Sequence, residues 1–319
     1  MRFCAKKLAA VFLTMILVSI LTFAAFNLIP GDPAQLILGT EATPQSLAEL
    51  HARLGLNQSM PQRYFSWLFG LLRGDMGMSL QYSRPVSSLL FERLPVTATL
   101  AGLSLLFILL FSLPAGVLSA RWHNSFLGRF LNSLTMLNLT LPSFFIGVLL
   151  IWIFGILLRL FTPGGYIDYR QDAGGFLRYL IFPALAIALP NIAAAAKFLR
   201  TSILAEADSG YADTARSKGL TESRVLWRHV LKNASIPAIT LLGMMAAEIF
   251  SGSILIEQVY SIPGVGRLLI SSVSSRDFPL MESLVVYIAF LVTVANFLAD
   301  LLMRWADPRM RGDGHKDEG

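Results

Sequence analysis

The sequence predicts an all-α polytopic membrane protein, because its composition and its apolar segments agree. Hydrophobic residues make up 55% of the 319 residues and charged residues only 14%, whereas soluble domains carry about 25% charged residues. A transmembrane helix needs about 20 mostly apolar residues. Six segments are long and apolar enough to span a membrane: residues 8–29, 97–120, 134–160, 180–200, 237–258 and 281–303.

The positions of the basic residues predict that both termini lie on the inner side of the membrane. Short inner loops of membrane proteins carry an excess of Lys and Arg. With six spans, the inner connections include Arg121 and Arg129, and the C-terminal tail includes Arg304, Arg309 and Arg311. The basic residues are scattered between apolar spans, so the formal net charge of +6 indicates orientation and not nucleic-acid binding.

The spans and loops divide the chain into four predicted regions. Residues 1–29 form an N-terminal anchor helix, for which a cleaved signal sequence is the alternative. Residues 30–96 form a folded lid on the outer face, and residues 97–306 form a core of five helices. That core contains a charged hairpin at 208–236, between the fourth and fifth spans, and residues 307–319 form an inner tail.

The outer region carries local signals for helices and turns. The run Ile29-Pro-Gly-Asp-Pro33 ends the first helix, because proline cannot continue it. A helix is predicted over 44–56, with Thr43 as its cap and Pro44 at its first position, and another over 61–73. Residues 74–79 predict a turn. We interpret the region as a lid packed on the outer membrane face, and as a docking aid for an outside partner.

The hairpin, residues 208–236, predicts two short helices around a glycine. Asp208 or Ser209 can cap the first helix, and Gly219 follows its cationic last turn as a residue able to adopt a left-handed conformation. Thr221 can cap the second helix.

Apolar residues recur at helical spacing in the second helix of the hairpin, and this pattern predicts a single buried face. They are Leu226, Trp227, Val230, Leu231 and Ala234.

Catalytic and cofactor signatures are missing from the sequence. It contains no Gly-x-x-x-x-Gly-Lys-Ser/Thr loop, so this chain is not expected to bind ATP in that manner. Its four histidines fall outside the predicted spans without metal-ligand spacing, and the single cysteine, Cys4, cannot form a disulfide within the chain. We therefore expect no enzyme activity, no cofactor and no metal site in this chain.

Acidic residues near the spans are candidates for a translocation pathway, because an ionisable group at membrane depth is costly. Glu248 is the deepest, and it either faces the pathway or pairs with a polar neighbour. Met244, one helical turn before Glu248, is the second candidate pathway residue. Glu257 and Asp300 are expected near an interface, where they need no special role.

The first helix of the hairpin carries a recognisable motif. Asp213-Thr214-Ala215, with Gly219 four residues later, resembles the Glu-Ala-Ala-x-x-x-Gly loop of permease subunits in ATP-binding-cassette (ABC) importers. Asp213 replaces the usual glutamate, and Thr214 replaces the first alanine. The resemblance implies contact with an ATPase subunit through Tyr211, Asp213, Thr214, Ala215, Arg216, Lys218, Gly219 and Leu220.

Motifs along nearly the whole chain look like those of the dipeptide, oligopeptide and nickel branch of these permeases. They are Ile29-Pro-Gly-Asp-Pro-Ala34, Gly74-Asp-Met-Gly-Met-Ser79, Leu94-Pro-Val-Thr97, Leu141-Pro-Ser-Phe144, Pro263-Gly-Val-Gly-Arg-Leu268 and Arg276-Asp-Phe-Pro279. Their order and spacing together are specific, although each motif alone is short.

The resemblance implies a fold, partners and a mechanism. It implies a bacterial inner-membrane protein with both termini in the cytoplasm. Its partners would be a second permease subunit, two ATPase subunits that bind the ATP, and an extracytoplasmic substrate-binding protein. The mechanism would be alternating access. The cargo would be peptides, or nickel and other metal chelates. The alternative class is an ion-coupled secondary transporter, which would need paired ionisable groups near the membrane midplane.

Overall fold

The computed structural model describes residues 2–28, 33–38, 42–53 and 55–306, and within these ranges the chain is nearly all helical. The predicted break at 29–33 lies almost entirely outside the described residues, as does the tail at 307–319. The helices are α1 Arg2–Leu28, α2 Pro33–Leu38, α3 Pro44–Arg53, α4 Met60–Leu72, α5 Val86–Arg121, α6 Phe126–Thr140, α7 Ser143–Leu150, α8 Ala173–Ala207, α9 Gly210–Ser217, α10 Glu222–Val225, α11 Leu231–Val259, α12 Val265–Ser275 and α13 Phe278–Ala306.

Four described helices are long and apolar enough to cross a membrane by length and composition. Their candidate spans are Lys6–Asn27, Val86–Arg121, Ala173–Ala207 and Phe278–Leu301, and they contain or largely coincide with four of the six predicted segments. The predicted segment 237–258 lies within α11, which is a single helix of 29 residues. The chain is therefore a multi-pass helical protein.

The predicted span at 134–160 is not one continuous helix, so a single straight span is not confirmed there. Helix α6 ends at Thr140, and α7 with its π-helical continuation to Leu157 leaves it at an angle of 108°. Leu141 is extended, at φ −90° and ψ 127°, because a residue before proline avoids the helical conformation. Pro142 then begins the next helix. Counting this bent pair as one span gives up to five spans among the described helices.

The two local helices predicted after the first span are present. Helix α3 begins at Pro44, and the Thr43 hydroxyl accepts a hydrogen bond from the Ser46 N–H at 3.1 Å. It ends at Arg53, three residues before the predicted end. Helix α4 runs from Met60 to Leu72, within one residue of the predicted bounds.

The described residues group into two compact units: residues 1–96 with 263–293, and residues 97–262 with 294–319. In the first unit, the first turns of α5 pack on α12 and the start of α13. The buried side chains of this cluster are Val86, Leu89, Leu90, Val265, Leu268, Leu280 and Leu284.

A buried aspartate connects two predicted motifs in the first unit. The Asp277 carboxylate accepts hydrogen bonds from the Ser79 hydroxyl at 2.5 Å and from the Gln81 N–H at 3.1 Å. Asp277 is 1% exposed. The Ser283 hydroxyl adds a bond to the Met76 carbonyl at 2.9 Å. The motif at 74–79 and the motif at 276–279, about 200 residues apart in sequence, thus fold into one structure.

In the second unit, α8 is the central helix and contacts α6, α7 and α11. Small residues let its neighbours approach closely. A Cβ at Gly116 of α5 would lie 2.9 Å from Leu199 Cδ2, and one at Gly147 of α7 would lie 3.1 Å from Ile256 Cδ1. Close approach at small residues is typical of helices packed in membranes. Two prolines, Pro183 and Pro190, lie inside α8 without ending it.

Hydrogen bonds from two tyrosine hydroxyls connect three helices of the second unit. The Tyr179 hydroxyl of α8 donates to the Tyr260 carbonyl at 2.6 Å, and the Tyr260 hydroxyl donates to the Gly147 carbonyl of α7 at 3.1 Å. Phe161 stacks on the Tyr260 ring with the centroids 6.1 Å apart. The end of α11 is therefore held against α7 and α8.

Replacing Asp277 should destabilise the first unit strongly. Asp277→Ala removes the acceptor for the Ser79 hydroxyl and the Gln81 N–H, and each buried donor left unsatisfied costs about 1–3 kcal/mol. We expect the unfolding free energy of the purified chain in detergent to fall by about 2 kcal/mol or more, measured by denaturant titration. Asp75→Ala is the matched control, because Asp75 is exposed and accepts from the Gly77 N–H. Equal losses in the two variants would contradict the structural role of Asp277.

Candidate functional site

The hairpin at 208–236 is the site that the sequence singles out, and its helix–glycine–helix order is confirmed. Helix α9 occupies 210–217, and α10 begins at Glu222. Ser209 and Thr221 stand at the capping positions with extended backbones, but neither side chain makes the capping hydrogen bond. The Ser209 hydroxyl instead donates to the Glu206 carbonyl at 2.6 Å. Asp208, the other predicted cap, ends α8.

Gly219 closes α9 in a left-handed conformation, with φ at +81°. The Gly219 N–H donates to the Arg216 carbonyl at 2.8 Å, and the Leu220 N–H donates to the Ala215 carbonyl at 3.3 Å. This pair of bonds defines the Schellman motif, in which a left-handed residue satisfies the last carbonyls of a helix. Leu220 also packs against the cluster that contains Ala215. The turn between the two hairpin helices is thus fixed by backbone hydrogen bonds.

Arg216 links three segments of the hairpin region through hydrogen bonds. Its Nη1 donates to the Ala207 carbonyl at 2.9 Å and to Asp213 Oδ1 at 2.8 Å, and its Nε donates to Glu222 Oε1 at 2.9 Å. These acceptors belong to the end of α8, to α9 and to α10. Hydrogen bonds to Glu222 and Asp213 raise the pKa of Arg216 above its usual value, so its guanidinium stays charged.

One side of the hairpin is buried against the ends of two long helices. The buried cluster joins α5, α8, α9, α10 and the start of α11 through small and branched side chains. They are Val117, Ala120, Leu199, Ile203, Ala212, Ala215, Val225, Val230 and Ala234. The hairpin is therefore packed firmly onto the helices that precede it.

The eight residues predicted to contact an ATPase divide into two groups. Ala215 is buried and Leu220 is partly buried, and both face the cluster, while Arg216 is partly buried. The other five are exposed on the hairpin surface: Tyr211, Asp213, Thr214, Lys218 and Gly219. The structure thus distinguishes residues that shape the hairpin from residues that a partner could reach.

Trp227 differs from its prediction. Periodicity places it on the buried face with Val230, but its side chain is 56% exposed. Residues 226–230 form a π-helical turn, which inserts extra residues per turn and changes which side chains face inward. An exposed tryptophan in the second half of the hairpin is a candidate contact that simple 3.6-residue periodicity does not reveal.

Tyr211 is tied to the preceding helix by its hydroxyl, which donates to Glu206 Oε2 at 2.5 Å. Its ring is 37% exposed. The side chain of Tyr211 therefore presents a fixed aromatic surface on α9.

The candidate pathway residues share one side of α11. Met244 is 52% exposed, and Glu248 is exposed one turn later, whereas Met245 and Ile249 on the adjacent side are 4% and 1% exposed. Among the described residues, none hydrogen-bonds the Glu248 carboxylate. The side of α11 with Met244 and Glu248 is thus left uncovered by the described part of this chain.

Glu257 is a buried carboxylate, a feature that its predicted place near an interface did not include. It is 0% exposed, and it accepts a hydrogen bond from the Thr97 hydroxyl of α5 at 2.6 Å. Thr97 belongs to the Leu94-Pro-Val-Thr97 motif, so that motif supplies a partner for a buried carboxylate.

Comparison with known proteins gives a consistent result. Residues 112–312 match the family described as binding-protein-dependent transport system inner membrane component, and residues 1–101 match the corresponding N-terminal family. A Brucella abortus protein, provisionally named a peptide transport system permease protein, is 37% identical over 97% of this chain and 98% of its own length.

Two further relatives and one solved structure agree. The oligopeptide transport system permease protein of Bacillus subtilis is 33% identical over 92% of this chain and 94% of its own length. The glutathione transport system permease protein of Escherichia coli is 31% identical over 96% of this chain and 97% of its own. An inward-facing structure of the MetNI methionine ABC transporter superposes with a TM-score of 0.55 at 17% identity, covering 69% of this chain and 96% of the other.

The low identity to the methionine transporter limits that likeness to the fold, whereas the family match spans most of the chain. The chain belongs to the binding-protein-dependent transport system inner membrane components, and it is a permease subunit of an ABC importer.

Proposed function

We propose that the hairpin at 208–236 is the surface on which an ATPase subunit docks, and that this chain pairs with a second permease subunit in an importer for peptides. The observation that carries the proposal is the hairpin's construction. Its turn is fixed at Gly219, Arg216 links its three parts, and its exposed side carries Tyr211, Asp213, Lys218 and Trp227. A partner meets a preformed surface there.

The packing of the hairpin gives a route for coupling. Ala212 and Ala215 of α9 pack against the same cluster as Leu199 and Ile203 of α8. Helix α8 in turn contacts α6, α7 and α11. A displacement of the hairpin therefore moves the central helix of the second unit, because packed interiors transmit strain and do not absorb it. Alternating access follows when the ATPase subunits close and reopen.

The remaining partners and the location follow from the same proposal. Two ATPase subunits serve the two permeases, and a substrate-binding protein delivers the cargo from outside. The chain lies in the bacterial inner membrane with six spans and both termini in the cytoplasm, as the basic residues favour. Peptides are the proposed cargo, because the similar proteins are named for peptides, oligopeptides and glutathione. Metal chelates are the second cargo class within the branch.

Uptake should depend on ATP hydrolysis by the partner ATPase. We expect proteoliposomes with the complete transporter and its binding protein to accumulate labelled peptide, and to lose that uptake when the phosphate-binding lysine of the ATPase is replaced, since that lysine contacts the ATP phosphates. The control is the same preparation with wild-type ATPase and an ionophore. Uptake that survives the lysine replacement and disappears with the ionophore would instead establish an ion-coupled carrier.

Gly219→Val should weaken ATPase association. A Cβ at Gly219 meets no atom within 4 Å, so the variant suffers backbone strain and not a clash. Left-handed backbone costs a residue with a Cβ about 1–2 kcal/mol, and about 1.4 kcal/mol corresponds to a tenfold change in affinity. We expect about tenfold weaker co-purification of the ATPase, with membrane insertion unchanged.

Gly210→Val is the matched control for Gly219→Val. Gly210 also has nothing within 4 Å of an added Cβ, but its backbone is not left-handed. It begins α9, where a side chain is tolerated. Normal ATPase association in the Gly219→Val permease would mean that the turn ends a helix without serving the partner.

Glu248→Gln should impair uptake of cationic cargo more than uptake of neutral cargo. The carboxylate lies on the uncovered side of α11 with Met244, where it can attract a peptide amino terminus. The amide keeps the size of the side chain but removes its charge. Uptake of peptides of different charge, normalised to assembled transporter, measures the effect. Met244→Leu is the control on the same side, and an equal loss for every cargo would contradict a pathway role for Glu248.

A further inference from the structure

Helix α4 presents three chemically different sides. One side packs on α1, where the Tyr64 hydroxyl hydrogen-bonds the Ser19 hydroxyl at 2.9 Å. The Phe23 ring contacts the rings of Tyr64 and Trp67, with centroids 5.4 and 5.8 Å apart. The other two sides of the helix are exposed.

The contact with α1 sets the depth of α4. Ser19 and Phe23 lie inside the candidate span Lys6–Asn27. At 1.5 Å per residue, they lie about 12 and 6 Å before the end of that span. Tyr64 and Trp67 therefore lie at the level of the membrane, and not above it.

The length of α4 excludes a transmembrane role. Its 13 residues extend about 20 Å, whereas a spanning helix needs about 20 residues. A helix of this length at this depth cannot reach the opposite face of the bilayer.

The second side of α4 is an exposed apolar stripe. Phe65, Phe69 and Leu72 follow one another at the four- and three-residue spacing of a single helix face, and they are 54%, 55% and 73% exposed. The α1 span beside it is mostly unburied in the chain, and Ile20 and Leu21 near its contact with α4 are 47% and 59% exposed. The stripe therefore continues an apolar surface that already faces the lipid.

The third side of α4 is polar. Gln62, Ser66 and Arg73 are exposed, and at 3.6 residues per turn they follow the stripe around the helix, with Gln62 and Arg73 bordering Phe69 and Ser66 farthest from the stripe. Arg63 lies over the Phe23 ring, with its Cζ 5.9 Å from the centroid. Arginine stems cover apolar surface while their charged ends reach polar headgroups.

We propose that α4 is an in-plane membrane helix whose apolar stripe, Phe65, Phe69 and Leu72, inserts into the acyl chains of the leaflet at the C-terminal end of α1. The partner is lipid. A helix of this kind has aromatic and aliphatic residues on one face and basic residues at its polar edge. The segment after α1 is thus partly embedded, and it fixes the height of the first unit in the bilayer.

Site-specific fluorescence quenching tests this proposal. In a Cys4→Ser background, which removes the single native cysteine, we would introduce Phe65→Cys, Phe69→Cys and Leu72→Cys separately. Ser66→Cys is the matched control on the polar side, about 90° around the helix from the centre of the stripe. Each variant is labelled with an environment-sensitive fluorophore in the assembled transporter and reconstituted in nanodiscs of neutral phospholipid. Quenching by doxyl-labelled lipid and by aqueous iodide is then measured.

The expected result is at least twofold stronger quenching by doxyl lipid at 65, 69 and 72 than at 66, with the opposite order for iodide. Three stripe positions allow for one variant that fails to assemble. Iodide quenching along the stripe would overturn the proposal and make α4 part of a water-facing lid. Protection from both quenchers would also overturn it, because a protein surface would then cover the stripe.

Discussion

A membrane interior offers no water to a backbone carbonyl or N–H, so each break in a helix there must be satisfied by the protein. The second unit shows how this requirement is met. Helix α7 starts after a 108° bend at Leu141 and Pro142, and its Gly147 carbonyl receives the Tyr260 hydroxyl. The Tyr260 carbonyl, at the end of α11, receives the hydroxyl of Tyr179. Tyr179 thus satisfies a carbonyl where α11 ends, and Tyr260 adds a second bond to the Gly147 carbonyl, which also accepts the Ile151 N–H within its helix.

The local features of this chain could be predicted because their causes are local. Thr43 and Pro44 start α3, and Gly219 ends α9, through interactions that span only a few residues. The features that were missed depend on distant or irregular structure. The burial of Glu257 comes from Thr97, 160 residues away, and the partner of Asp277 is Ser79, 198 residues away. Hydropathy does not reveal either pairing.

Two misses have a different origin, because a hydropathy window assumes regular helical geometry. The segment 134–160 is mostly apolar, so its summed hydropathy does not show the bend at Pro142. The exposure of Trp227 follows from a π-helical turn, which moves side chains off the 3.6-residue period. The candidate contact set taken from the motif ends at Leu220, so it does not include this exposed tryptophan of the second hairpin helix.

Helices α5 and α8 contain 36 and 35 residues, so each extends about 52–54 Å. A bilayer with its headgroups is about 40–45 Å thick, and a tilt of about 20° shortens a helix only slightly. The apolar segment of α8 at 180–200 is followed by seven more helical residues, which add about 10 Å. The hairpin therefore begins about 10 Å beyond the apolar segment of α8, so the last turns of α8 act as a spacer between the two.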